Sequence, residues 1–124
     1  MAIFLSNSKN SGSIEIVSNK IVEWNSSGNV GAVVGATSIA ELESIASFFA
    51  RQKNPPLLLI PGVGSQGGSA SEVMVALRKN KYPLTRVLIN SSSAVLYAHE
   101  KNSGVSFEKA AVDALKELHV QTRI

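Results

Sequence analysis

The chain has 124 residues, of which 44% are hydrophobic and 17% charged, and its formal net charge is +3. This length and composition predict one folded domain over residues 1–124 and exclude a disordered chain. The sequence contains no cysteine, no apolar run long enough to cross a bilayer and no signal-peptide pattern at its start. We therefore expect a cytoplasmic protein without a membrane partner, a disulfide or a thiolate metal site.

Few residues could support metal chemistry or nucleic-acid binding. Aromatic residues make up 6% of the chain and basic residues are scattered, so no base-stacking or phosphate-tracking surface is predicted. His99 and His119 are the two histidines and Asp113 is the single aspartate. Asp113 falls on the polar side of the last predicted helix, where we expect a surface charge. The sequence thus predicts no metal site, no cofactor and no Ser-His-Asp arrangement.

Four short apolar runs alternate with segments of helical spacing. The predicted strands cover residues 2–6, 31–35, 57–60 and 86–89, and the predicted helices cover 13–24, 38–53, 69–79, 94–98 and 107–119. Ser38 with Glu41 and Ser69 with Glu72 form capping boxes, and Ser106 is a candidate cap for the last helix. The apolar positions expected to be buried are Ile14, Val17, Ile21, Trp24, Ile39, Leu42, Ile45, Ala46, Phe49, Val73, Met74, Ala76, Leu77, Phe107, Ala111, Leu115 and Leu118.

The strands are apolar throughout rather than alternating, which predicts an α/β fold with parallel strands covered on both faces. Right-handed connections would bring the loops 6–12, 35–37, 61–68 and 90–93 to one edge, where α/β proteins bind ligands. A closed (β/α)8 barrel needs eight strands, and an open flavodoxin-like sheet usually has five or more. The strand count alone leaves both half a barrel and a small open sheet possible.

The loop at residues 61–68 (PGVGSQGG) connects a strand to a helix start. Glycines let backbone N–H groups approach an anion, the helix end adds positive partial charge, and Gln66 can donate through its amide. This pattern is typical of a phosphate-binding loop. It also fits a tight connection in which the glycines only make the turn, and the glycine count alone does not separate the two interpretations.

Three segments together resemble a known family. Residues 33–37 (VVGAT), 59–68 (LIPGVGSQGG) and 88–98 (LINSSSAVLYA) occur in the order and spacing of the C-terminal half of orotidine 5′-phosphate decarboxylase, in its bacterial and archaeal form. The resemblance implies half of a (β/α)8 TIM barrel, with four parallel βα units that correspond to strands five to eight. It further implies conversion of orotidine 5′-monophosphate (OMP) to uridine 5′-monophosphate (UMP) and CO2 in pyrimidine biosynthesis.

The resemblance also implies roles for individual residues. The substrate phosphate would be bound by residues of the glycine loop and of the turn after the fourth strand, and Ser8 would contact the pyrimidine base. The implied phosphate-binding residues are Gly62, Gly64, Gln66, Gly67, Gly68, Ser92 and Ser93.

Two features depart from the family pattern. The family's phosphate-binding arginine is replaced here by Ser93, whose hydroxyl cannot supply the charge of an arginine–phosphate pair. Lys9 or a partner chain are candidates for that charge. The family's Lys-Asp-Lys-Asp array, with its Asp-x-Lys-x-x-Asp run, is absent, so this chain is expected to carry no catalytic residues of its own.

Three hypotheses follow. The first is the C-terminal, phosphate-binding half of a decarboxylase, inactive alone and completed by an N-terminal half that brings the catalytic array. The second is a non-catalytic half-barrel that binds phosphorylated ligands and self-associates. The third, a phosphate-binding barrel protein with another reaction, is disfavoured by the VVGAT and PGVGSQGG segments. The first two predict an oligomer, with a different chain or with a second copy.

Overall fold

A computed structural model describes residues 2–5, 11–64, 67–101 and 104–123 of the chain. The strands are β1 (Ala2–Leu5), β2 (Gly31–Val34), β3 (Leu57–Ile60) and β4 (Val87–Ile89). The helices are α1 (Ser11–Trp24), α2 (Ile39–Ala50), α3 (Ala70–Lys79), the one-turn α4 (Ser93–Leu96) and α5 (Phe107–Thr122), with 3₁₀ turns at Asn25–Ser27, Leu84–Arg86 and Ala98–Lys101. Among these described helices, none is both long and apolar enough to cross a membrane.

The four strands form one parallel sheet in the order β1-β2-β3-β4. Each strand therefore pairs with its neighbour in sequence, and every connection steps in the same direction across the sheet. Right-handed connections of this kind place all the helices on one face. This singly wound order is that of a (β/α)8 barrel, whereas a flavodoxin-like sheet reverses direction at its switch point. The predicted α/β fold of four parallel βα units is confirmed.

The hydrophobic core lies between the sheet and its helices. Ala32 and Val34 of β2 and Leu58 and Ile60 of β3 are buried there. The helices contribute side chains at the predicted spacing, and Ile21, Leu42, Ile45, Ala46, Phe49, Val73, Met74, Ala76 and Leu77 are all buried. The periodicity of α2 and α3 thus identified the core-facing side of each helix correctly.

The opposite face of the sheet is not covered by the described part of the chain. Leu57 and Leu88 point away from the helices and are 38% and 55% exposed. Val33, Leu59 and Leu88 are consecutive register partners on this face, which we call the inner face. The prediction that the strands are covered on both faces is therefore wrong for this chain alone, because all helices lie on one side.

The two outermost helices also carry exposed apolar side chains. Trp24 at the end of α1 is 47% exposed, and Phe107 and Leu115 on α5 are 49% and 51% exposed. The expected burial of these three residues is wrong, whereas Leu118 packs partly against the core. α1 packs against α2, and α5 packs against α3 and the short α4.

A hydrogen-bonded cluster ties the loops at the amino-terminal edge of the sheet. Asn25 is buried, its Nδ2 donates to the Asn54 carbonyl at 2.7 Å, and its Oδ1 accepts from the Val30 N–H at 2.8 Å. The Tyr82 hydroxyl donates to the Pro56 carbonyl, and burial raises the pKa of Tyr82 above its ordinary value although nearby Arg86 acts in the opposite direction.

Two of the three predicted helix caps are confirmed. The Ser69 hydroxyl accepts from the Glu72 N–H at 3.3 Å, and the Ser106 hydroxyl accepts from the Lys109 N–H at 3.4 Å. Ser38 occupies the cap position of α2 in an extended conformation but makes no capping hydrogen bond through its side chain. The sequence pattern predicted the start of α2 correctly, but the predicted capping hydrogen bond of the Ser38 side chain is not formed.

Candidate functional site

The loop between β3 and α3 lies between the loops that follow β2 and β4. On one side the Ala36 N–H donates to the Pro61 carbonyl at 3.0 Å, and on the other the Asn90 N–H donates to the Ile60 carbonyl at 3.0 Å. The Ser91 hydroxyl also donates to the Val63 carbonyl at 3.0 Å. Three of the four loops predicted to meet at the carboxyl edge of the sheet therefore adjoin one another, and the fourth, residues 6–12, lies largely outside the described residues.

Hydrogen bonds within the glycine loop fix its backbone. The Gly64 N–H donates to the Gly68 carbonyl at 2.8 Å, the Gly67 N–H to the Gly64 carbonyl at 3.2 Å, and the Gly68 N–H to the Gly62 carbonyl at 3.2 Å. In this conformation three of the glycine amides predicted to bind phosphate are used to hold the loop together. The hydrogen bonds of these three N–H groups therefore shape the loop.

Two of the glycines also allow close packing against neighbouring loops. A Cβ at Gly64 would lie 2.8 Å from the Ala94 Cβ, and a Cβ at Gly68 would lie 2.7 Å from the Ala36 Cβ. Gly64 has a φ of 88°, a conformation that side chains rarely adopt. The small residues at positions 36 and 94 are thus the partners of the glycine loop, a pairing that sequence analysis missed because it joins separate segments.

The structure places Ser92 and Ser93 at the same edge. Ser92 is exposed and its hydroxyl donates to Asn90 Oδ1 at 2.9 Å, and Ser93 is exposed at the start of α4. Gln66, Ser8 and Lys9 lie outside the described residues. Ser91, which bonds directly to the glycine loop, was not singled out from the sequence, since a run of three serines does not show which one faces the loop.

Charge is scarce at this edge. No Lys, Arg, Asp or Glu occurs in residues 34–37, 60–68 or 89–93. A cavity of about 450 Å³ lies between the glycine loop and α5, and Lys101 lines it together with Asp113 and Glu117. Because the two carboxylates outnumber the single ammonium group, this cavity does not favour a phosphate dianion.

The prediction that Asp113 is a surface charge is confirmed. Asp113 is exposed on α5, and its carboxylate accepts a hydrogen bond from Lys109 Nζ at 2.9 Å, which lowers the pKa of the aspartate. Within the described ranges, no three His, Cys, Asp or Glu side chains are grouped closely enough to hold a metal ion.

Known proteins share sequence similarity with this chain over part of their length. No family model matches the chain. The chain is 41% identical over 95 residues to orotidine 5′-phosphate decarboxylase of Delftia acidovorans, covering 76% of this chain and 32% of that protein. It is 46% identical over 89 residues to the Herpetosiphon aurantiacus protein of the same name, covering 71% of this chain and 28% of that protein. The chain thus spans about a third of the length of these curated relatives.

A solved structure supports the same fold. A Plasmodium yoelii protein, provisionally described as an orotidine-monophosphate-decarboxylase, superimposes with a TM-score of 0.53 at 17% identity, covering 92% of this chain and 32% of that chain. The singly wound sheet and this likeness define a partial (β/α)8 barrel. The resemblance found in the sequence is confirmed: over the matched residues the chain is homologous to orotidine 5′-phosphate decarboxylase and corresponds to part of it.

The packing of the glycine loop leads to a test with an internal control. Gly64→Ala should reduce the free energy of unfolding by about 2–4 kcal/mol, because the new methyl combines an unfavourable φ with overlap against Ala94. Gly67→Ala introduces a methyl at a φ of 85° with no atom within 4 Å, so it should cost only about 1 kcal/mol. Urea denaturation of both variants measures the difference, and equal losses would show that Gly64 is not packed against α4.

Proposed function

We propose that this chain is the phosphate-binding, C-terminal half of an orotidine 5′-phosphate decarboxylase, corresponding to barrel strands five to eight. It acts in the cytoplasm, where an N-terminal half-barrel supplies the Lys-Asp-Lys-Asp array. The substrate is OMP, and the complete barrel releases CO2 to form UMP without a cofactor. The observation that carries the proposal is the homology to decarboxylases of which the matched residues span only about a third, together with an inner sheet face that the described residues leave uncovered.

The geometry of the sheet supports a missing second half. β1 and β4 each pair with one strand in the described sheet, so a partner can extend the sheet from either of its edges. The inner face carries the apolar side chains Leu57, Leu59 and Leu88, which have the character of barrel-interior residues. A second half-barrel would cover this face and both edges at once, and would pack against α1 and α5.

The distribution of carboxylates supports a partner as the source of the chemistry. The single aspartate, Asp113, lies on the outer helix α5 and is paired with Lys109. The carboxyl edge of the sheet has no charged side chain in the loops after β2, β3 and β4. We therefore assign to the other half the charged groups that destabilise the substrate carboxylate and protonate the product carbanion.

The phosphate is proposed to bind where the glycine loop meets the turn after β4. Gln66 donates through its side-chain amide, and the hydroxyls of Ser92 and Ser93 lie on the adjoining turn. Gly62, Gly64, Gly67 and Gly68 give the loop its shape and its close approach to the ligand, and Ser8 is proposed to contact the base. The neutral Ser93 leaves the dianion without the usual guanidinium, so a cation from the partner or from Lys9 completes the site.

Ser93 also favours a second candidate function. A half-barrel that self-associates and binds phosphorylated ligands without chemistry needs neither the catalytic array nor a strong phosphate clamp. Both candidate functions involve the uncovered inner face and the glycine loop. In the second, the partner is another copy of this chain instead of a different half-barrel.

Mixing the two halves tests the first candidate directly. The N-terminal part of the Delftia acidovorans relative, up to the start of its matched segment, serves as the partner and is called the Delftia segment. We expect OMP decarboxylation, followed by loss of substrate absorbance, in the mixture and in neither chain alone. Asp113→Asn in this chain is the matched control and should leave the activity of the mixture unchanged, because the exposed Asp113 carboxylate is bonded to Lys109 and not to the glycine loop.

Two results would contradict the proposal. Activity of this chain alone would place the reacting groups within it, and a stable mixed complex that never turns over OMP would favour the non-catalytic candidate.

Restoring the missing charge tests the phosphate site. Ser93→Arg should tighten UMP binding to the mixed complex by about 10- to 100-fold, because a guanidinium at this position gains a charge-assisted bond to the phosphate. Ser92→Arg adds the same charge at the adjacent exposed position and controls for net charge. Titration calorimetry measures both variants, and an equal gain in the two would show that Ser93 does not face the phosphate.

A further inference from the structure

Arg86 occupies an unusual place at the amino-terminal edge of the sheet. It immediately precedes β4, and its Nη2 donates to the Gly28 carbonyl at 2.8 Å, in the loop that leads to β2. The side chain therefore spans the start of β3, which lies between these two strands. Arg86 is the last residue of the 3₁₀ turn before β4, two residues before the exposed Leu88, and continuing the strand alternation back from Leu88 would start its side chain on the inner face of the sheet.

Among the residues that the structure describes, no carboxylate is paired with the charge of Arg86. All nine acidic side chains lie on α1, α2, α3, α5 and the 3₁₀ turn Ala98–Lys101, and the ion pairs of the described residues join none of them to Arg86. The Arg86 Nε is buried and has no hydrogen-bond partner among the described residues. One donor of the guanidinium is thus satisfied by Gly28, and a second is shielded from water without an acceptor.

Closing a barrel over the inner face changes the surroundings of this charge. Leu57 and Leu88 would become buried, and water would be removed from the amino-terminal end of the sheet, next to Arg86. A buried charge without a partner is strongly unfavourable, and a carboxylate with good geometry is the group that compensates it. The surface that completes this barrel must therefore bring an acceptor to Arg86.

A second copy of the chain cannot do so. It would bring a second Arg86 to the same end of the barrel, and its own carboxylates would lie on its helices. Two guanidinium groups in one enclosed interior repel each other and remain unpaired. Charge complementarity therefore favours a partner of different sequence over a second copy of this chain.

We propose that the inner face is matched to a different half-barrel that carries an inward-facing carboxylate at the amino-terminal end of one strand, paired with Arg86. The inference rests on the proposed function for the existence of a partner half, and it adds the feature by which that partner is selected. Binding of the two half-barrels through Arg86 and its carboxylate does not require catalysis. An experiment can therefore contradict one proposal and support the other.

The test uses the Delftia segment as the partner and titration calorimetry as the readout. Arg86→Met should weaken its binding to this chain at least tenfold, whereas Arg86→Lys, which keeps the charge, should recover most of the affinity. Arg51→Met removes an exposed arginine at the end of α2 and should change the affinity less than twofold. Thermal unfolding of each free variant confirms that it is folded before titration.

A carboxylate scan of the Delftia segment identifies the counterion. Replacing each strand-start Asp or Glu by its amide should reveal one position that weakens binding to the wild-type chain and causes no further loss against Arg86→Met. No such coupled position, or no binding of the wild-type chain to the segment, would overturn the inference. A tight homodimer of this chain that Arg86→Met leaves unchanged would also overturn it.

Activity measurements separate this inference from the proposed function. Coupled binding through Arg86 in a complex that does not decarboxylate OMP would support the inference and contradict the function. Decarboxylation by a complex whose affinity is insensitive to Arg86→Met would support the proposed function and contradict the inference.

Discussion

The uncovered face of the parallel sheet is the constraint on which the rest of this structure depends. Parallel strands are stable when both faces are buried, and here the helices of the described residues lie on one side of the sheet. Leu57 and Leu88 remain exposed in consequence, as do apolar residues on the flanking helices. The proposed partner half-barrel would cover these surfaces, and the singly wound order of the strands makes another set of βα units the fitting complement.

The two edges of the sheet differ in chemistry. The carboxyl edge is built from glycines and small residues, so that backbone and hydroxyl groups of three loops meet closely around Gly64. The amino-terminal edge is held by side chains that reach between loops, among them Asn25, Tyr82 and Arg86. This division resembles that of (β/α)8 barrels in general, in which ligands bind at the carboxyl edge and the opposite edge contributes stability.

Much of the fold could be predicted from the sequence because its signals are local. Helical spacing identified the buried face of α2, and an apolar run between Pro56 and Pro61 identified β3. The exposure of Leu88 could not be predicted, since an uninterrupted apolar strand looks the same whether its second face is covered by the same chain or by another. The Arg86–Gly28 bond joins residues 58 positions apart and has no local pattern. At the site, the glycines were visible, but the Ser91 contact required the loops to be placed together.

Hydrogen exchange at the open edge of the sheet tests most directly whether the chain is half of a barrel. The amides of β4 would be measured in the free chain and after addition of the Delftia segment, with the amides of α2 as an internal reference. Extension of the sheet by a partner strand predicts at least tenfold slower exchange for outward-facing amides of β4, with little change in α2. A complex that protects only helical amides and leaves β4 unchanged would contradict the half-barrel account.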